Sequence, residues 1–368
     1  MTTEILSNRA LGRATLARQH LLDRVSMDPV GMVEHLVGLQ SQTPQTWYVG
    51  LWDRLTEFNP EAFGRLLEDR VVVRIAAMRS TVHLLSATDA LLLRPLTQIV
   101  IERSTRGAFG KHWNGLDLEG VTAAARDIVE REPMIFAAIG RELQKTWPDT
   151  DHSALGQIAR TYLDLVQVTP RGVWQKSGQA KHTTVEAWLG RSVDAAPSID
   201  KVIRRYLAAF GPASVKDVQA WCGLTRLNEV VDRMRPELIT FTDAAGRELF
   251  DLPDAPRPGE DIPSPPRFLY DFENLLLSHD DRSRFNIHNF FEFGWTFDGA
   301  QPSCLLIDGT VEATWLLTKT GGETVLNLSP MSKISARVRS EVEEEGMRLV
   351  RFKEPKVGDV DIRWVGNT

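Results

Sequence analysis

Apolar positions along the chain recur at the three- and four-residue spacing of amphipathic helices. They then change to the two-residue alternation of strands, and this order repeats. Residues 8–24 carry Leu11, Leu16 and Leu21 behind Asn8, a residue type suited to capping a helix start. Asp28-Pro29 opens a second helix, with a cap before a proline at the first turn, and its apolar run reaches Leu39. Asn59-Pro60 repeats the signature and predicts a third helix to about Asp69. Residues 71–75 and 81–85 then read as two strands. Three helices and a strand pair give the order of a winged helix.

The pattern recurs with helices at 121–131, 133–146 and 152–165, then strands at 166–169 and 173–175 around the turn Pro170-Arg171-Gly172. It recurs again with helices at 199–210, 214–221 and 225–234, and strands at 238–242 and 248–252 around Ala244-Ala245-Gly246-Arg247. Ser214 to Leu224 supplies a cap, an apolar face and a Gly turn, which together form a helix-turn-helix signature. Three units in series carry more weight than one. Residues 254–266, rich in Pro, Gly and Asp, read as a linker. Strand-like stretches follow at 267–270, 275–277, 304–307, 313–317 and 325–328, with Asp308-Gly309 as a hairpin turn. A last helix at 332–345 is expected to stop at Gly346. The expected fold is α+β: tandem winged-helix (helix-turn-helix) domains at 1–115, 116–195 and 196–254, and a C-terminal β-rich domain at 255–368.

Composition narrows the setting. The 368 residues are 42% hydrophobic and 25% charged, enough for several cored domains. No apolar run reaches the length of a membrane span, and Met-Thr-Thr-Glu-Ile-Leu lacks the basic-then-apolar start of a secretory signal. A cytoplasmic, nucleoid-associated protein is expected, with no membrane partner. Cys222 and Cys304 are the only cysteines, too few for a zinc ribbon or a cysteine-held cluster. No metal and no redox cofactor are expected. A net charge of −6 means that any nucleic-acid partner must be held by a local basic surface. The acidic run Glu341-Val342-Glu343-Glu344-Glu345 reads as a solvated helix face.

Candidate chemistry centres on Gln40-Ser41-Gln42, just before Thr43-Pro44. On a helix the two amides would lie about 200° apart. Pro44 disfavours helix at Thr43, so the helix ends near Gln40. In extended chain both amides project to one side and could converge on a point. Each offers a carbonyl acceptor and an NH2 donor, suited to holding a water or reading a base edge. Solvated residues at a helix end are the plainer account. His83, on a strand near Thr81, either approaches a lesion strand or is structural. His279, Arg282 and Arg284 either contact phosphate or pair with Asp280 and Asp281. Arg79, Arg13 and Arg18 are further candidate backbone contacts. Asp308-Gly309-Thr310 either tips a groove-entering hairpin or is an ordinary exposed turn. Trp52 reads as core, while Trp47 and Tyr48 are core or line the site. Glu68-Asp69 reads as helix-end decoration.

These motifs together resemble the AlkZ/YcaQ-type winged-helix DNA glycosylases, over nearly the whole chain. The resemblance rests on Gly38-Leu39-Gln40-Ser41-Gln42-Thr43-Pro44-Gln45 and on Arg79-Ser80-Thr81-Val82-His83-Leu84 with Asp89. It rests further on Phe268-Leu269-Tyr270-Asp271-Phe272-Glu273-Asn274-Leu275-Leu276-Leu277-Ser278-His279, on Asp281-Arg282-Ser283-Arg284, and on Leu306-Ile307-Asp308-Gly309 with Thr314-Trp315. It implies a C-shaped array of winged helices holding double-stranded DNA, with Gln40 and Gln42 as the catalytic Gln-x-Gln. Ser41 departs from the usual apolar middle residue. The Gln-x-Gln branch is associated with bulky N7-alkylguanines and with unhooking crosslinks, and the Gln-x-Asp branch is broader. The resemblance implies a monofunctional enzyme acting on alkylated purines, and a single chain with three docking units could act as a monomer.

Glycoside hydrolysis commonly recruits two carboxylates. A Gln takes no proton, and loss of a general base costs roughly 10²–10⁴ in rate. A purine alkylated at N7 is already cationic and departs neutral, which offsets that loss. The competing reading is a winged-helix DNA-binding regulator without catalysis.

Overall fold

The computed structural model describes residues 4–286, 303–320, 323–356, 358 and 360–365. Its strands are β1 (Ile5–Leu6), β2 (Leu39–Gln40), β3 (Val72–Ala76), β4 (Val82–Ser86), β5 (Leu165–Gln167), β6 (His182–Thr184), β7 (Ile239–Asp243), β8 (Glu248–Asp251), β9 (Arg267–Phe268), β10 (Ser303–Ile307), β11 (Thr310–Thr320), β12 (Glu323–Pro330) and β13 (Val360–Trp364). They form three sheets, ordered β2-β4-β3-β5-β6, β13-β12-β11-β10-β9 and β1-β7-β8. Helices surround these sheets in a winged-helix architecture, and no helix among the described residues is long and apolar enough to cross a membrane.

Helix starts follow the caps. Asp28 accepts from Gly31 N ahead of Pro29–His35, and Asn59 accepts from Ala62 N ahead of Pro60–Glu68. In the third unit Ser214 and Asp217 form a reciprocal capping box, and the helix Val215–Cys222 ends at Gly223 with φ 81°. Ser7, one residue before the expected Asn8, caps Asn8–Arg18.

Several ends differ from the sequence reading. The first helix stops at Arg18 rather than 24, because His20 turns the chain at φ 52°. The second stops at His35, because Val37 and Gly38 follow with φ of 54° and 92°. Leu39–Gln40 is therefore a strand and not a helix end. A 23-residue helix, Ala87–Phe109, follows β4 directly; the reading missed it, although Ser86 caps it at Asp89 N. Residues 173–175 are not a strand. β5 pairs with β3 and β6, and Val173 is instead buried in the core that holds Tyr48 and Phe63. Residues 275–277 belong to a short helix, Asn274–Leu277, capped by Glu273. The last helix, Ala336–Lys353, runs through Gly346, where a Cβ would lie 2.7 Å from the Leu326 side chain. Gly346 thus permits helix–sheet contact and does not end the helix. Glu345 is buried and meets Arg24, so the acidic run is not wholly a solvated face.

Long-range packing brings distant segments to Gln40. β5 joins β3 through Arg74 opposite Gln167 and Ile75 opposite Val166, so the sheet crosses the expected boundary at 115/116. The C-terminal sheet shares a core with the first helices: Leu39, Trp47, Tyr48, Phe268, Tyr270, Leu326 and Leu349 are all buried there. Each such large side chain contributes about 1.5–3 kcal/mol on burial. Arg54 and Glu273 form a fully buried pair at 2.9 Å, which fixes the segment that carries Asn274.

Candidate active site

β2 pairs antiparallel with β4, setting Gln40 opposite His83. Ser41 N continues the ladder by donating to Val82 O at 2.8 Å. The extended backbone alternates its side chains: Ser41 is fully buried, and Arg74 donates to its carbonyl at 2.6 Å and to its hydroxyl at 3.4 Å. A hydroxyl at the middle position is thus held internally, away from Gln40 and Gln42. Thr43 donates to the Asp271 carboxylate.

Gln40 is 3% exposed, and its Oε1 accepts from Arg79 Nη2 at 2.7 Å. Its backbone N–H donates to Asn274 Oδ1 at 3.3 Å, and Asn274 Nδ2 donates to Gly38 O at 2.7 Å. Gln42 is exposed, and its Oε1 accepts from Val82 N at 3.3 Å. Arg79 also donates to Trp221 O in the last turn of the helix Val215–Cys222. His83 is fully buried; its Nδ1 lies 3.0 Å from Thr81 O and its Nε2 lies 3.4 Å from Arg79 Nη2. A carbonyl only accepts, so the proton sits on Nδ1 and Nε2 accepts from Arg79. Burial, reinforced by the Arg79 charge, pushes the His83 pKa down to about 3, so the ring is neutral. Burial lowers Arg79 to about 10, which leaves it charged at neutral pH.

A cleft of about 910 Å³ begins at Pro44, two residues beyond Gln42. Arg171, Lys176, Lys319, Lys353 and Lys356 line it, against Glu61 and Glu354. Gln45 straps one wall to the motif, accepting from Gln175 N at 2.8 Å and donating to Lys176 O at 2.7 Å. Burial lowers the Lys353 pKa, opposed by Asp271, and its ammonium lies 5.4 Å from the Trp315 ring centre. Among the described residues no group of His, Cys, Asp and Glu is arranged to hold a metal ion.

The other expected site residues divide sharply. Arg79 and His83 adjoin Gln40: the half-buried Arg79 bonds its amide, and His83 is internal. Thr81 is half-buried, with its hydroxyl on Met78 O at 3.1 Å. His279 is fully buried on Phe210 O at 3.0 Å. Arg284 is buried on Thr15 Oγ1 and Pro212 O. Both fasten the interior and offer no polar group to a duplex; Arg282 is half-buried beside them. Asp308 binds Arg13 and Arg9, so the Asp308-Gly309-Thr310 turn is pinned to the first helix instead of standing free. Arg18 is internal too, paired with Asp251 at 2.6 Å. Trp47 and Tyr48 are core residues, while Trp52 is half-buried under Arg24. The reading gave no role to Arg74, Asp271, Asn274 or the cleft lysines. Asp271 and Asn274 stand in one of the quoted motifs, but nothing local says that they meet Thr43 and Gln40.

The comparisons bear on the family and the fold. A family model described as DNA glycosylase AlkZ-like matches residues 33–352. A search of curated proteins returns no match. Among solved structures the chain is similar to the Streptomyces sahachiroi DNA glycosylase AlkZ, with a TM-score of 0.76 and 20% identity, over 98% of this chain and 100% of that one. The match over most of its length places the chain in the AlkZ-like DNA glycosylase family.

Proposed function

We propose that this glycosylase is monofunctional and removes cationic N7-alkylated purines from double-stranded DNA, bulky and crosslinked adducts included. The observation that supports the reading is a pair of carboxamides two residues apart, Gln40 opposite His83 in the sheet and Gln42 just beyond it, with a cationic cleft that begins at Pro44. A purine alkylated at N7 needs no acid. Its glycosidic bond breaks with the electron pair going to the base, which leaves neutral. The sugar becomes oxocarbenium-like at C1′, and a water held by Gln40 and Gln42 adds there and loses its proton to solvent. Positioning of this kind is worth roughly 7–11 kcal/mol in favourable cases. Arg171, Lys176, Lys319, Lys353 and Lys356 supply the local positive surface that a chain of net charge −6 needs for phosphate. A cytoplasmic, nucleoid-associated monomer fits this role.

The test incubates the protein with a duplex carrying N7-methylguanine and measures free base, with strand cleavage appearing only after heat or alkali. Gln40→Ala and Gln42→Ala are each expected to slow release about 10²-fold, the usual cost of misplacing a reacting group. Full activity in both variants sinks the assignment. Absence of base release by the wild type, with duplex binding retained, favours the non-catalytic regulator.

A further inference from the structure

We infer that Arg79 is a positioning residue that makes the two glutamines unequal: it ties back the Gln40 carbonyl, so that Gln40 meets the substrate side as a hydrogen-bond donor and Gln42 as the acceptor. The inference rests on the glycosylase reading above.

Arg79 has only N–H groups to offer, so the oxygen of Gln40, and not its nitrogen, must face it. The 2.7 Å bond is charge-assisted, and it draws electron density from that oxygen. The NH2 end of Gln40 is left over as a strengthened donor. Gln42 differs. Its oxygen accepts from a neutral backbone N–H at 3.3 Å, a longer bond without charge assistance, so it stays the better acceptor of the two. A water that accepts from Gln40 and donates to Gln42 keeps one lone pair for C1′. Two donors would occupy both lone pairs, and two acceptors would hold only its protons. One of each fixes the nucleophile in an attacking orientation.

The fold secures Arg79 from several sides. Arg79 and Ser80 both sit at positive φ, 55° and 60°, a conformation that non-Gly residues adopt at a cost. Trp221 O takes the other arm of the guanidinium, His83 Nε2 lies 3.4 Å from the arm on Gln40, and Arg160 donates to Ser80 O at 3.0 Å. The helix Val215–Cys222 therefore reaches the Gln40 amide through one side chain.

The test compares single-turnover release from an N7-methylguanine duplex with the duplex Kd. Arg79→Met is expected to slow release at least about 10-fold, one decade of barrier, while Kd changes less than about twofold. In a Gln40→Ala background the same substitution should add less than about twofold, because the group it orients is gone. In a Gln42→Ala background the full loss should persist. A loss expressed in Kd alone makes Arg79 a phosphate contact, and equal losses in both backgrounds make it merely structural; either result overturns the inference. Should Arg79→Met not fold, Gln40→Glu decides. It keeps the bond to Arg79 but replaces the outward NH2 by a carboxylate oxygen, so release should again fall at least about 10-fold; wild-type rates overturn the donor role. An inactive wild type removes the glycosylase reading itself, whereas an active wild type indifferent to Arg79→Met removes this inference only.

Discussion

Asn274 sits 234 residues from Gln40, yet it is the group that sets the backbone of the motif. It accepts from Gln40 N and donates to Gly38 O, and at 3% exposure neither bond is replaceable by water. Asn274→Ala strands a buried donor and a buried acceptor. Unfolding in urea should show a loss of about 1–3 kcal/mol with an unchanged m-value. Base release should also slow, because Gln40 loses its fixed start. Retained stability would show that the two backbone groups find other partners. The same logic explains the corrected residues: His279 and Arg284 look like phosphate ligands by type, but they are buried, His279 on Phe210 O and Arg284 on Thr15 Oγ1 and Pro212 O.

Local signals act most clearly on single elements. The helices Phe136–Gln144 and His152–Tyr162 cross at glycines. A Cβ on Gly140 would lie 1.8 Å from His152 O, and one on Gly156 would lie 2.6 Å from Phe136 O. Gly140→Ala must push these backbones apart, at a cost of about 1–3 kcal/mol for overpacking, and differential scanning calorimetry should record a lower Tm. An unchanged Tm would mean that the helices slide freely. The pair matters to the site because Arg160, on the second helix, holds Ser80 O beside Arg79. The mirror case is Gly346: read as a stop, it proves to be the point where the last helix touches Leu326. A glycine signals a need for space or for positive φ, and the sequence does not say which.

Across the whole molecule, buried neutral histidines tie stability to pH. Burial pushes His83 and His279 down to about 3 and His182 to about 4. Unfolded imidazole titrates near 6.5. Below that pH the unfolded chain binds protons that the native chain refuses, so stability falls as pH drops from 6.5 toward 3–4. The limiting slope is about 1.4 kcal/mol per pH unit for each histidine. Asp53 works in the opposite sense: burial raises it to about 8, so it is protonated in the native state and favours folding as pH falls from 8 toward 4. Burial also lowers His20 to about 4 and His35 below its ordinary value, and raises Asp164. With five histidines against two carboxyls, urea midpoints should decline between pH 6.5 and 4.5; a flat profile would show these rings charged in the native state. The cleft supplies the second prediction at this scale. Lys356→Glu, at an exposed cleft position, should weaken duplex binding and lower the salt slope by roughly one to two contacts. Unchanged affinity would move the duplex away from this cleft.

Helix starts, the repeated order of helices and strands and the Gln40-Ser41-Gln42 motif were legible in the sequence. Capping and periodicity involve residues within one or two turns, and a chain of letters records such neighbours directly. The tertiary structure alone decided which partners the amides of the motif bind. Arg79 is 39 residues from Gln40, Asn274 is 234, and Lys353 reaches the neighbouring cleft from the end of the last helix. It also merged the wings of two units into one sheet and turned expected DNA contacts into interior bonds. Side-chain partners are chosen by packing between distant segments, and burial, not residue type, determines whether an Arg or His meets phosphate or a carbonyl of its own chain.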